Sequence, residues 1–300
     1  MMSLHPATQL FGQVVFIGLG LIGGSMAKRL RYELPQTRIL ACDKPEVLQL
    51  ALEEGLIDEG LSSPTQAEVY AENTLVVLAT HLNQSYAVMA DICKAAPTDL
   101  QHPLQMMDLG STKSTICRLA EQLSVQYDLE LDFVGGHPMA GREISGFQNS
   151  RSDLFLDKLF MLTPCATTTE GFLNKLVQWL EDLKVRPHVP DVTLHDKTMS
   201  LVSHFPQFYA IALGNLLHRN DPETLLHYLG AGLDDQLRLM ISPHNMWQDI
   251  FLDNKTHLES ALEDFITILS EMKAQLAQSQ SLQAWFDKSH DVHHIYQRLR

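Results

Sequence analysis

The sequence predicts an α/β chain in which a doubly wound sheet is followed by an all-helical region. Three features carry this. Short apolar segments alternate with helix-length amphipathic ones as far as about residue 190. A glycine-rich turn directly follows the first apolar segment. Beyond Pro190 long helical periodicities dominate, with no strand signal of comparable strength. Strand–helix alternation of this kind implies right-handed crossovers in one sheet.

Gln13–Ile17 reads as a short apolar strand, followed by the glycine turn and a helix over 24–32. Arg38–Cys42 reads as a second strand ending at Asp43, and 45–54 as a helix stopped by Gly55. The run 75–79 is continuously apolar, as in a strand buried on both faces of a parallel sheet. Further strands are expected at 104–109, 132–134, 159–162 and 185–189, with an amphipathic helix at 170–183. The helical part comprises 195–217, 224–228 and 247–278. Asp191 is placed to cap the first of these, and Pro206 to kink it. The expected domains are therefore 1–190 and 191–300.

A chain of 300 residues that is 45% hydrophobic and 19% charged is globular. Its longest apolar runs, such as 14–17 and 75–79, are strand-sized, far short of the ~18 residues that span a bilayer. The first ten residues lack the basic and apolar regions of a secretory signal, which points to the cytoplasm. A net charge of −14 argues against nucleic acid and requires a local cation for any anionic ligand. Cys42, Cys93, Cys117 and Cys165 are widely spaced and form no C-x-x-C pair, so zinc and disulfide frameworks are not expected.

Gly18-Leu19-Gly20-Leu21-Ile22-Gly23 fits G-x-G-x-x-G and stands between a strand and a helix, the context in which that pattern binds a dinucleotide. Gly18 would make the tight turn, Gly20 would admit the pyrophosphate, and Gly23 would allow close helix–strand packing. Asp43, 20 residues past Gly23, stands where a carboxylate accepts bonds from both ribose hydroxyls. Its charge would repel a 2′-phosphate, so NAD is favoured over NADP, although Lys44 lies beside it. Thr80, at the end of the 75–79 strand, is counted with this site.

Two segments follow strands and would lie at the ligand edge of the sheet. One is Asp108-Leu109-Gly110-Ser111-Thr112-Lys113, the other Gly135-Gly136-His137-Pro138-Met139-Ala140-Gly141-Arg142-Glu143. His137, in a loop of small residues, suits a base that removes a hydroxyl proton while hydride leaves the same carbon. In the helical region His195-Asp196 begins the long helix, and Ser200, His204 and Gln207 share a face. Arg238 is a natural clamp for a carboxylate, though composition does not single it out among the arginines.

The ordered motifs GLGLIGGS, DLGSTK, GGHPMAGRE, HDKTMSLVSHFP and the stretch from Arg238 through Trp247 to Asn254 resemble those of prephenate/arogenate dehydrogenases. The resemblance runs from about Val14 to Asn254. It implies a Rossmann-type domain, a helical dimerisation domain, a homodimer, and an active site in the cleft between the two domains. It implies oxidative decarboxylation of prephenate to 4-hydroxyphenylpyruvate, or of arogenate to tyrosine. His137 matches the catalytic histidine that bonds the ring hydroxyl, and Ser111 a serine that orients both. Arg238 matches the carboxylate-binding arginine, while Lys113, His204 and Trp247 match positions that line or support the pocket.

This sequence departs from many relatives at Thr80-His81, where a proline is common, and at Leu237, where threonine usually precedes the arginine. Gln207 replaces a second histidine; an amide there suits either an amino group or a keto oxygen, so prephenate and arogenate both stay open. With the glycine motif starting at residue 18, no chorismate mutase domain is expected before it, nor a regulatory domain after the helices. His290, His293 and His294 read as a solvated helix tail rather than a metal site. A 4-amino-prephenate-type dehydrogenase, a β-hydroxyacid dehydrogenase acting through a lysine, and a non-catalytic NAD-sensing protein are the competing readings.

Overall fold

The computed structural model describes residues 10–141 and 144–299. Eight strands form one sheet in the order β3-β2-β1-β4-β5-β6-β7-β8. They are β1 (Gln13–Ile17), β2 (Arg38–Cys42), β3 (Glu59–Leu61), β4 (Thr74–Leu78), β5 (Leu104–Asp108), β6 (Leu131–Pro138), β7 (Leu159–Pro164) and β8 (Arg186–His188). All pairings are parallel except β6 with β7. In the order of the chain, α1 (Leu21–Glu33), α2 (Pro45–Glu53), α3 (Leu82–Ala95), α4 (Ser114–Tyr127) and α5 (Glu170–Asp182) connect the strands.

The period-two alternation of side chains along β1 and β4 divides the core between the two faces of the sheet. Val14, Phe16, Leu75 and Val77 pack on one face with Trp179 and Phe172 of α5 and Met26 of α1. Val15, Ile17, Val76 and Leu78 pack on the other with Met89 of α3 and Ile116 of α4. Every residue of β1 and β4 is buried, which explains why both read as continuous apolar runs.

The expected strand at 132–134 is in fact the start of the eight-residue β6, so His137 is a strand residue opposite Met161 and not a loop residue. Gly135 and Gly136, poor strand formers, hide this in the sequence. They are needed for packing: a Cβ on Gly136 would run into the Asp108 carbonyl oxygen.

After the sheet come α6 (Val192–Met199), a π-helical turn (Ser200–His204), α7 (Phe205–His218), α8 (Pro222–His227), α9 (Ala231–Met240) and α10 (His244–Asp253). Asp191 caps α6 by accepting from Leu194 N. The irregularity expected at Pro206 takes the form of the π turn just before it, with Pro206 in the first turn of α7. The single helix expected over 247–278 is divided between α10 and α11 (Lys255–Ala277); α12 (Gln283–Leu299) follows. The chain separates into two compact units, Met1–Asn254 and Lys255–Arg300. The first holds the sheet and α1 to α10, so the change to all-helical chain after 190 lies inside it. Among the described residues no helix is long and apolar enough to cross a membrane.

Candidate active site

The glycine loop crosses from β1 to α1 at the carboxyl edge of the sheet. Gly18 has φ 100° and donates from its N–H to the Cys42 carbonyl at 2.9 Å; a Cβ there would lie 2.8 Å from Ala79 O. A Cβ on Gly23 would collide with the Gly18 carbonyl. Gly20 faces open space and precedes α1 without any side-chain cap. The first N–H groups of α1, beginning at Leu21 and Ile22, are thus free for an anion at a helix N-terminus, the cradle a pyrophosphate needs. Asp43, just past β2, accepts from Leu19 N at 2.6 Å through one oxygen and from Lys44 N at 2.7 Å through the other. Thr80, just past β4, pairs its hydroxyl with Ser85 at 2.8 Å.

At the next strand end Asp108 and Lys113 form an ion pair with side chains 2% and 0% exposed. Asp108 accepts from Gly110 N at 2.8 Å and from Gly136 N at 3.0 Å, and Lys113 Nζ donates to Gly136 O at 2.7 Å. Lys113 is fully buried, and its amine clamps β6 beside His137. Ser111, in the turn between the pair, is half-buried.

His137 Nδ1 lies 2.9 Å from His195 Nε2, and His195 Nδ1 lies 2.8 Å from Asp196 Oδ1. Asp196 also accepts from Lys113 N at 2.9 Å and Ser114 N at 2.8 Å, at the start of α4. Asn254, ending α10, donates from Nδ2 to Asp196 O at 2.8 Å and lies 3.1 Å from His204 Nδ1. Trp247 meets the His204 ring edge-on, with centroids 6.4 Å apart. Two helices of the helical region thus converge on the strand that bears His137.

The electrostatics follow from burial. Desolvation, reinforced by His195, Lys113 and His204, pushes His137 well below the usual histidine range. Burial lowers His204 to about 4. Burial by itself raises Asp196, but the hydrogen bonds from His195, Ser114 and Lys113 outweigh it and hold the carboxyl well below its ordinary range.

Two other expected residues stand on the later helices, Gln207 on α7 and Arg238 on α9. Gln207 is buried, but its amide nitrogen donates to Leu239 O at 2.7 Å and its oxygen accepts from Ser242 at 3.1 Å. Each end of the amide thus meets a residue at or just past the end of α9. Arg238 is exposed on α9 beside Asp234, Leu237 and Ile241, which share a surface groove with it. Arg142 and Glu143 lie outside the described residues. The residues sequence reading left without a role are Asp108, His195, Asp196 and Asn254; all four lie within or at the end of the quoted motifs.

Residues 26–189 match the model of the prephenate dehydrogenase nucleotide-binding domain, and 191–287 that of the prephenate dehydrogenase dimerization domain. The chain belongs to the prephenate dehydrogenase family. It is a nicotinamide-dependent oxidoreductase of that family, built on a nucleotide-binding sheet followed by a largely helical region. A crystal structure of prephenate dehydrogenase from A. aeolicus in complex with hydroxyphenyl propionate and NAD+ is 31% identical, with a TM-score of 0.80 over 95% of this chain and 97% of that one. Prephenate dehydrogenase of Bacillus subtilis is 29% identical over 274 residues, 90% of this chain and 71% of that protein. Cyclohexadienyl dehydrogenase of Zymomonas mobilis is 26% identical over 89% of both.

Proposed function

We propose that the protein oxidises prephenate with NAD+ and releases carbon dioxide and 4-hydroxyphenylpyruvate, with His137 as the base. The observation that carries this is a half-buried histidine, held neutral by its surroundings, standing near the end of β6 beside the Asp108–Lys113 clamp. Only the neutral form can accept a proton. The open helix N-terminus at Gly20 and the carboxylate of Asp43 suit NAD rather than NADP.

The glycine loop and Asp43 would hold NAD+, which would supply the hydride acceptor for the ring carbon that carries the hydroxyl. His137 takes the hydroxyl proton as that hydride leaves, and Ser111 orients the hydroxyl. Loss of carbon dioxide then sends the electron pair of the broken carbon–carbon bond through the ring to oxygen. His137 then returns the proton there, so base and acid are one residue. Arg238 holds a substrate carboxylate in this otherwise acidic protein, and His204 and Trp247 wall the pocket. An arogenate-preferring enzyme would use the same residues.

The division into a cofactor domain (1–190) and a helical substrate and dimerisation domain (191–300) belongs to this reading, as do a homodimer and a cytoplasmic location. The homodimer is supported by the dimerization-domain match and by the exposed apolar residues Phe208, Tyr209, Ile211 and Leu216 of α7. The test is His137→Asn: turnover should fall at least about a hundredfold while NAD+ affinity stays within about twofold. Full activity in that variant overturns the role.

A further inference from the structure

We propose that His195 and Asp196 are positioning residues for His137, fixing which of its ring nitrogens is basic and sharing the charge of the proton it takes. This rests on the reading of His137 as the base. The geometry leaves one assignment of protons. Asp196 is a carboxylate, which only accepts, and it lies 2.8 Å from His195 Nδ1, so that nitrogen carries a hydrogen. His195 Nε2 is then a lone pair. It lies 2.9 Å from His137 Nδ1, and one of two nitrogens at that distance must donate, so His137 Nδ1 carries the hydrogen. Nε2 of His137 is left as the basic atom.

The frame behind this is fixed. His195 and Asp196 are each 1% exposed. Asp196 is tied through both carboxylate oxygens to the backbone at the start of α4, and through its own carbonyl to Asn254. Neither residue of the pair can turn away without leaving buried N–H groups unpaired.

The proton path balances over the reaction. As the substrate O–H bond breaks, a bond to His137 Nε2 forms and the proton on Nδ1 moves to His195 Nε2. This leaves His137 neutral and His195 a cation against the Asp196 carboxylate. When carbon dioxide departs and negative charge arrives at the ring oxygen, both protons move back, and the product leaves as a phenol. The pair stores one proton for the interval between hydride loss and decarboxylation, and none is lost to solvent.

The test uses the full chain with NAD+ bound and ¹⁵N-labelled histidine. Wild-type His137 should show a protonated Nδ1 and an unprotonated Nε2, and His195→Phe should lose that preference. His195→Gln, which accepts the hydrogen bond but cannot carry the proton, should lower kcat about a hundredfold with KM for prephenate and NAD+ affinity within about twofold. A wild-type His137 protonated at Nε2 overturns the proposal, as does a His195→Gln enzyme with kcat within about threefold of wild type. The nitrogen spectrum needs no turnover, so it decides the proton placement even if prephenate proves not to be the substrate.

Discussion

Asn254 holds His204 in one protonation state: its amide nitrogen, 3.1 Å from His204 Nδ1, can only donate, so the ring proton sits on Nε2. That Nε2 is buried and has no hydrogen-bond partner among the described residues. Burial drives the group down to about 4, so His204 is a neutral donor at any physiological pH.

This sets a pH dependence of stability. An unfolded histidine titrates near 6.5, so between about pH 6.5 and pH 4 the unfolded chain binds a proton at His204 that the folded chain refuses. Stability is complete above that window and falls as pH drops through it, by about 1.4 kcal/mol per pH unit and about 3 kcal/mol in all. His137, lowered in the same direction, steepens the loss. Asp196, also lowered, keeps its contribution until well below this range. Urea midpoints at pH 7.5 and pH 5 should differ clearly; equal midpoints would contradict the burial of both histidines.

Asp43→Asn keeps an acceptor for Leu19 N but removes the charge that opposes a 2′-phosphate. The ratio of NAD+ to NADP+ affinity should fall about tenfold, or roughly 1.4 kcal/mol. A ratio that stays put would move cofactor selection to another residue.

Lys113→Met strands the Asp108 carboxylate in a dry interior, which costs about 3–5 kcal/mol. The melting temperature should drop and kcat should fall, because Gly136 beside His137 loses its donor. A lysine that bound substrate would behave differently, raising KM at unchanged stability.

Gln207→Ala should cost about 1–3 kcal/mol of stability through the unpaired Leu239 carbonyl and Ser242 hydroxyl. The relative kcat/KM for prephenate and arogenate should hold within about twofold. A tenfold shift in that ratio would mean that Gln207 leaves its partners to meet the substrate.

Much of this was legible in the chain because the signals are local. β1 and β2 coincide with the apolar runs that predict them, and the glycine loop announces itself through spacing alone. The role of Asp191 as a cap is likewise a matter of neighbours. The second half of β6 was hidden because Gly135 and Gly136 are chosen for close packing against Asp108 and Thr163, which leaves no strand propensity to read. Lys113 and Gln207 come to the pocket in the sequence through their places in the matched motifs. Their partners, Asp108 and Gly136 in one case and Leu239 and Ser242 in the other, become visible only in three dimensions. His195 and Asp196 show the converse: 58 residues of sequence separate His195 from His137, and only the folded chain brings them to 2.9 Å.

The most direct measurement is the absorbance of reduced nicotinamide when the purified protein meets prephenate or arogenate with NAD+ or NADP+. Rapid reduction of NAD+ by prephenate, with NADP+ much slower, is the predicted result. Turnover confined to arogenate would contradict the substrate, and no reduction in any combination while NAD+ still binds would contradict the proposed chemistry itself.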